Sequence, residues 1–121
     1  MKNFSSKLSA SQQAERLLPP QRRVKAVLDT DAYNEIDDQF AILYAMLSPE
    51  KIDLQAIYAA LFYNGRSSSP ADGMEKSYQE ILKICGLTGR DPEGFVFRGC
   101  RAPLEGPELP QESEAVNDLI R

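Results

Sequence analysis

Residues 24–46 read V-K-A-V-L-D-T-D-A-Y-N-E-I-D-D-Q-F-A-I-L-Y-A-M, and their reading decides how the rest of the chain is arranged. Val24, Ala26, Val27 and Leu28 form a short, nearly continuous apolar run, the pattern of a central parallel strand buried on both faces. Phe40, Leu43, Tyr44 and Leu47 then recur at helical spacing, and Ser48-Pro49 ends that helix because a residue before proline is driven out of the α region. Between strand and helix stand Asp29, Asp31, Glu35, Asp37 and Asp38. Carboxylates this close repel one another, so they point into water, cap the helix, or surround a cation.

Downstream, a second strand is expected over Asp53–Leu61, followed by turn material at Asn64-Gly65-Arg66-Ser67-Ser68. Ser69-Pro70-Ala71-Asp72 is a helix start: Ser69 as N-cap, Pro70 at the first helical position, Asp72 reaching back as in a capping box. Met74, Tyr78, Ile81, Leu82 and Cys85 keep one face of that helix, with Gly86 as its expected stop. Phe95–Phe97 makes a third short strand, and Ser113–Ile120 a last helix with Ala115, Val116, Leu119 and Ile120 on one face. Upstream, residues 1–23 read as a polar, Ser/Gln-rich arm with one short helical turn, cut by Pro19-Pro20. The order β-α-β-α-β-α over residues 24–121 specifies an α/β domain of three layers: a parallel sheet, helical crossovers, and a ligand site at the carboxyl ends of the strands. The acidic loop sits at such an end. Three strands are few for a doubly wound sheet, so a fragment or a truncated relative of a longer protein is expected, with an unpaired sheet edge after Phe97.

Composition narrows the function classes. With 121 residues, 42% apolar and 26% charged, the chain has the make-up of one ordinary globular domain. The net charge of −4 and the small basic group Arg22, Arg23 and Lys25 argue against nucleic acid as a partner. Cys85 and Cys100 have no C-x-x-C spacing, and the chain has no histidine to complete a zinc set. Neither a signal-peptide core nor a bilayer-length apolar run is present, which gives an expectation of a cytoplasmic protein with no membrane partner.

Carboxylate oxygens without imidazole or thiolate select hard cations; Asp31 and Asp38 could supply some ligands of a Ca²⁺ or Mg²⁺ ion, but not a complete shell. At this point the residues carry a likeness. D-T-D-A-Y-N-E-I-D-D-Q-F-A-I resembles the N-terminal signature of the inosine-uridine-preferring nucleoside hydrolase family: a strand, D-x-D, a short linker, D-D, a helix. The familiar form has Pro-Gly and one further residue as linker, whereas Ala32 to Ile36 are two residues longer, which bears on substrate preference. The likeness continues through A-I-Y-A-A-L-F-Y-N and the S-P-A-D-G-M-E-K-S-Y helix and fades after Gly99.

The resemblance implies hydrolysis of the N-glycosidic bond of ribonucleosides by a calcium-activated water. It implies Asp31 and Asp38 as Ca²⁺ ligands, Asp31 as acceptor of the water's proton, Asp37 and Asn64 as sugar-binding residues, and Asp29 in support, with Glu35 unassigned. The family's further calcium ligands and the histidine near the departing base have no counterpart in this chain, so weak or absent turnover is expected. Three other readings compete. A haloacid-dehalogenase-type phosphatase would share the strand and D-x-D, but has Thr or Val where this chain has Tyr33. An EF-hand would need Gly and Glu where counting from Asp29 gives Asn34 and Phe40. The third is a non-catalytic homologue acting as a binding or association module, such as a homo-oligomer.

Overall fold

The computed structural model describes residues 7–121, so the first six residues of the arm lie outside the described residues. Its elements are α1 (Ala10–Arg16), β1 (Val24–Thr30), α2 (Ile36–Met46), β2 (Ile52–Ala59), α3 (Pro70–Thr88), β3 (Val96–Arg98) and α4 (Glu114–Ile120). The strands form one parallel sheet in the order β1-β2-β3, with α2 and α3 as the crossovers. This is an α/β fold.

Alternation along the strands distributes the core to two sides. Ile57, Ala59 and Val96 face Ile42 of α2 and Met74, Ile81, Ile84 and Cys85 of α3. Ala56, Tyr58 and Phe97, one residue out of phase, face Ala115 of α4. Three layers result, with the larger core under α2 and α3.

Local signals set α3. Ser69 accepts a hydrogen bond from the Asp72 amide at 3.1 Å, Pro70 opens the helix, and Asp72 in turn accepts from the Ser68 amide. The helix runs through Gly86, the expected stop, and ends at Gly89, whose φ of 69° is the left-handed conformation that a C-terminal cap requires. The last helix begins as expected, with Ser113 accepting from the Val116 amide. In the arm, α1 carries a Ser9–Gln12 capping box but buries no residue.

Two expectations are corrected. Rather than being central and buried on both faces, β1 is an edge strand with a single neighbour, so Lys25, Val27 and Asp29 are exposed while Ala26 and Leu28 face the core side. The α2 residues chosen by helical spacing point largely outward: Phe40 is 65% exposed, Tyr44 71% and Leu47 71%, whereas Ile42 is fully buried and Ala45 nearly so. The sheet's nearest face takes the Ile42–Ala45–Met46 side, and Ile36, Phe40, Tyr44 and Leu47 become a surface stripe.

Tyr58 ties α4 to the sheet. Its hydroxyl donates to Asp118 Oδ2 at 2.9 Å, and its ring meets Phe97 edge-on at 6.1 Å. Burial, and next the bond to Asp118, push its phenol up to about 12. A raised phenol contributes stability that is complete below its ordinary value near 10 and is lost as pH rises through about 12. Thermal melts are therefore expected to fall steeply between those two values, and Tyr58→Phe to flatten that fall.

Candidate functional site

The carboxyl ends of the strands are stitched together by backbone. Ala60 donates to the Thr30 carbonyl at 2.8 Å, and Gly99 to the Ala59 carbonyl at 3.0 Å. A β-carbon on Gly99 would lie 2.4 Å from that same Ala59 oxygen, so glycine permits the close exit of β3 past β2. The loop joining β1 to α2 crosses this edge and is anchored by Ala32, which is fully buried in the larger core.

On that anchor the side chains sort themselves. Asn34 donates its amide to the Asp31 carbonyl at 2.7 Å and its side-chain nitrogen to Asp31 Oδ2 at 2.9 Å. Its oxygen accepts from Asn64 Nδ2, so Asn34 bridges the loop after β1 to the loop after β2. The Asn64 oxygen accepts from the Arg66 amide at 2.9 Å, the turn geometry its Asn-Gly sequence favours. Tyr33 stacks on Phe62 at 6.4 Å, with the Lys76 ammonium 5.9 Å from its ring. Tyr33, Asn34, Glu35, Gln39, Asn64 and Arg66 line a polar groove of about 630 Å³.

Asp38 belongs to the α2 side. It lies in the first turn of α2, and its Oδ1 accepts a short hydrogen bond from the Thr30 hydroxyl. Position alone stabilises a carboxylate there by roughly 0.3–1 kcal/mol through the helix dipole. The N-cap is Glu35, whose side chain makes no capping bond, and Asp37 is exposed without a partner among the described residues. Asp29 opens to the opposite side of the sheet, into an apolar cleft of about 340 Å³ lined by Val27, Tyr58, Leu61, Ala115 and Leu119. Partial burial of its carboxyl, and then the charge of Asp31, hold it above the ordinary carboxylate value.

Asp31 and Asn64, both expected in the site, are thus joined through Asn34, while Asp31 and Asp38 are linked through adjacent Thr30 and the loop. Asp29, Asp37 and Glu35 stand apart from that network. Asn34 and Thr30 were not singled out by sequence as site residues. Asn34→Ala is expected to cost about 1 kcal/mol and lower the melting temperature by a few degrees with the fold intact. A thermal melt followed by circular dichroism checks this.

A hard cation suits the donor chemistry. Asp31 keeps Oδ1 and Asp38 keeps Oδ2 outside the hydrogen bonds described above, and both are carboxylate oxygens. Among the described residues, however, no group of three or more Asp, Glu, His or Cys side chains is gathered for a metal, so two carboxylates are what the loop offers. Also among the described residues, no helix is long and apolar enough to cross a membrane. Compared with known proteins, the chain matches no family model, no curated protein and no solved structure.

Proposed function

We propose that the loop after β1 is a ribosyl-binding and cation-assisted site of the nucleoside hydrolase type, acting on the N-glycosidic bond of ribonucleosides. The observation that carries the reading is the Asp31–Asn34–Asn64 bridge at the carboxyl end of a parallel sheet, where α/β proteins bind ligands. Asp31 and Asp38 would hold Ca²⁺ through their remaining oxygens, water and sugar hydroxyls completing the shell. When bound, such an ion lowers the pKa of water and so supplies a nucleophile near neutral pH.

The chain's own residues have separable tasks. Asp31 accepts the proton of the attacking water, and Asn34 fixes the orientation of its carboxylate. Asp37, exposed in the first turn of α2, accepts a ribose hydroxyl, and Asn64 contacts the sugar from the loop after β2. The carboxylates stabilise the positive charge that grows on the sugar as the bond to the base breaks. Asp29, on the opposite side of the sheet, keeps the supporting role that the resemblance implies. With two protein carboxylates for the cation and no histidine to protonate a departing base, turnover by this chain is expected to be slow.

Purified chain incubated with inosine or uridine and Ca²⁺ tests the reading. Slow release of free base and ribose, abolished by chelator and by Asp31→Asn, is expected. No release together with no nucleoside-dependent shift in melting would overturn it. The reading of an association module draws on a different observation, the outward stripe of Ile36, Phe40, Tyr44 and Leu47.

A further inference from the structure

The free edge of β1 carries a charge pattern that is complementary to itself. Arg23, Lys25, Val27, Asp29 and Asp31 occupy alternate positions along the strand and its flanks, reading plus, plus, neutral, minus, minus. Lys25, Val27 and Asp29 are exposed, Val27 by 42%, and no described element covers them from the edge side. The strand itself is regular. The one irregularity in the sheet falls on β2, where Ala26 and Val27 pair with Leu54 and Ala56 and Gln55 is passed over.

We infer that β1 pairs antiparallel with β1 of a second copy of this chain, about a two-fold axis through Val27, to form a continuous six-stranded sheet. In that register Lys25 stands opposite Asp29 of the second copy and Asp29 opposite its Lys25. A register displaced by two residues sets Lys25 opposite Asp31 in one direction and Arg23 opposite Asp29 in the other, so the central register is set apart by placing both of its Lys25–Asp29 pairs inside the strand. The two-fold makes each favourable pair occur twice, which is how an isologous interface gains from a single self-complementary strand. Arg23 beside the strand is committed to Asp53 at 2.7 Å.

Exposed edges of this kind are normally guarded by isolated like charges or by proline. Here the edge offers charges of both signs in an order that an antiparallel copy satisfies and a parallel copy does not. That asymmetry favours one specific pairing, because the two-fold uses the β1 edge of both copies and leaves none for a third.

The test uses the full chain and three variants in light scattering over a concentration series at low ionic strength, each checked for folding by circular dichroism. Lys25→Asp and Asp29→Lys each turn two attractive pairs repulsive and are expected to weaken dimerisation about tenfold or more. An equimolar mixture of these two variants restores a one-to-one dimer, and the double variant Lys25→Asp/Asp29→Lys dimerises on its own. A wild-type chain that stays monomeric, single variants as dimeric as wild type, or a mixture of folded variants that stays monomeric overturns the proposal. Should a single variant fail to fold, the double variant decides: folded and dimeric supports the pairing, folded and monomeric refutes it.

Discussion

Replacing Gly73 with alanine is expected to lower the melting temperature by about 10 °C or more, a loss of roughly 2–4 kcal/mol. Gly73 sits in the first turn of α3, fully packed against the loop that leaves β2. A β-carbon there would lie 2.0 Å from the Phe62 carbonyl oxygen and 2.9 Å from its carbon and nitrogen. These are backbone atoms and cannot swing aside. The carbonyl is also held, since it accepts from the Ser67 hydroxyl at 3.1 Å. Relief therefore requires α3 to move off the loop that carries Asn64. Gly86 in the same helix supplies the control. Nothing lies within 4 Å of its added β-carbon, so Gly86→Ala is expected to stabilise by about 0.5–1 kcal/mol, through the helix propensity and unfolded-state entropy of alanine. Opposite signs for one substitution in one helix, read by denaturant titration, check the packing.

If the proposed N-glycosidic hydrolysis holds, Asp31→Asn is expected to reduce it by about 100-fold or more, the usual contribution of a positioned general base. The variant keeps the side-chain shape and the hydrogen bond from Asn34 in one amide orientation, so stability should change little. Asp38→Asn should behave differently. The asparagine would still accept from Thr30, but the charge at the positive end of α2 is lost, at a cost of roughly 0.3–1 kcal/mol to the fold in addition to a proposed cation ligand. Activity assays paired with thermal melts separate the two: Asp31→Asn loses rate at nearly constant stability, Asp38→Asn loses both.

What the sequence made legible was local. Ser69, Pro70 and Asp72 sit within four residues and announce the start of α3 without reference to anything distant, and Ser113 does so for α4. Strand order is not local: Val24–Leu28 looks buried on both faces whether or not a second neighbour exists, and only the assembled sheet shows β1 at its edge. The α2 stripe failed for a related reason. Phe40–Leu47 is apolar all round, so Phe40, Tyr44 and Leu47 fit a helical period as well as Ile42, Ala45 and Met46 do, and packing against Ile57 and α3 chose between them. Gly86 and Gly89 compete as stops three residues apart, and the left-handed backbone fell to the second.

Within the candidate site, the acidic spacing of D-x-D and D-D brought out Asp31 and Asp38, while Asn64 was named from the family resemblance. The bridge through Asn34 and the bond from Thr30 could not, since each joins side chains by a contact that exists only after the loop is anchored on Ala32.

The most direct measurement is a calorimetric titration of Ca²⁺ into the chain in the presence of uridine, beside the same titration of Asp31→Asn. Saturable binding of one ion per chain, lost in the variant, is the expected result. Absence of heat with the wild-type chain, or equal binding by Asp31→Asn, would contradict the assignment of the loop after β1 as a cation-assisted ribosyl site.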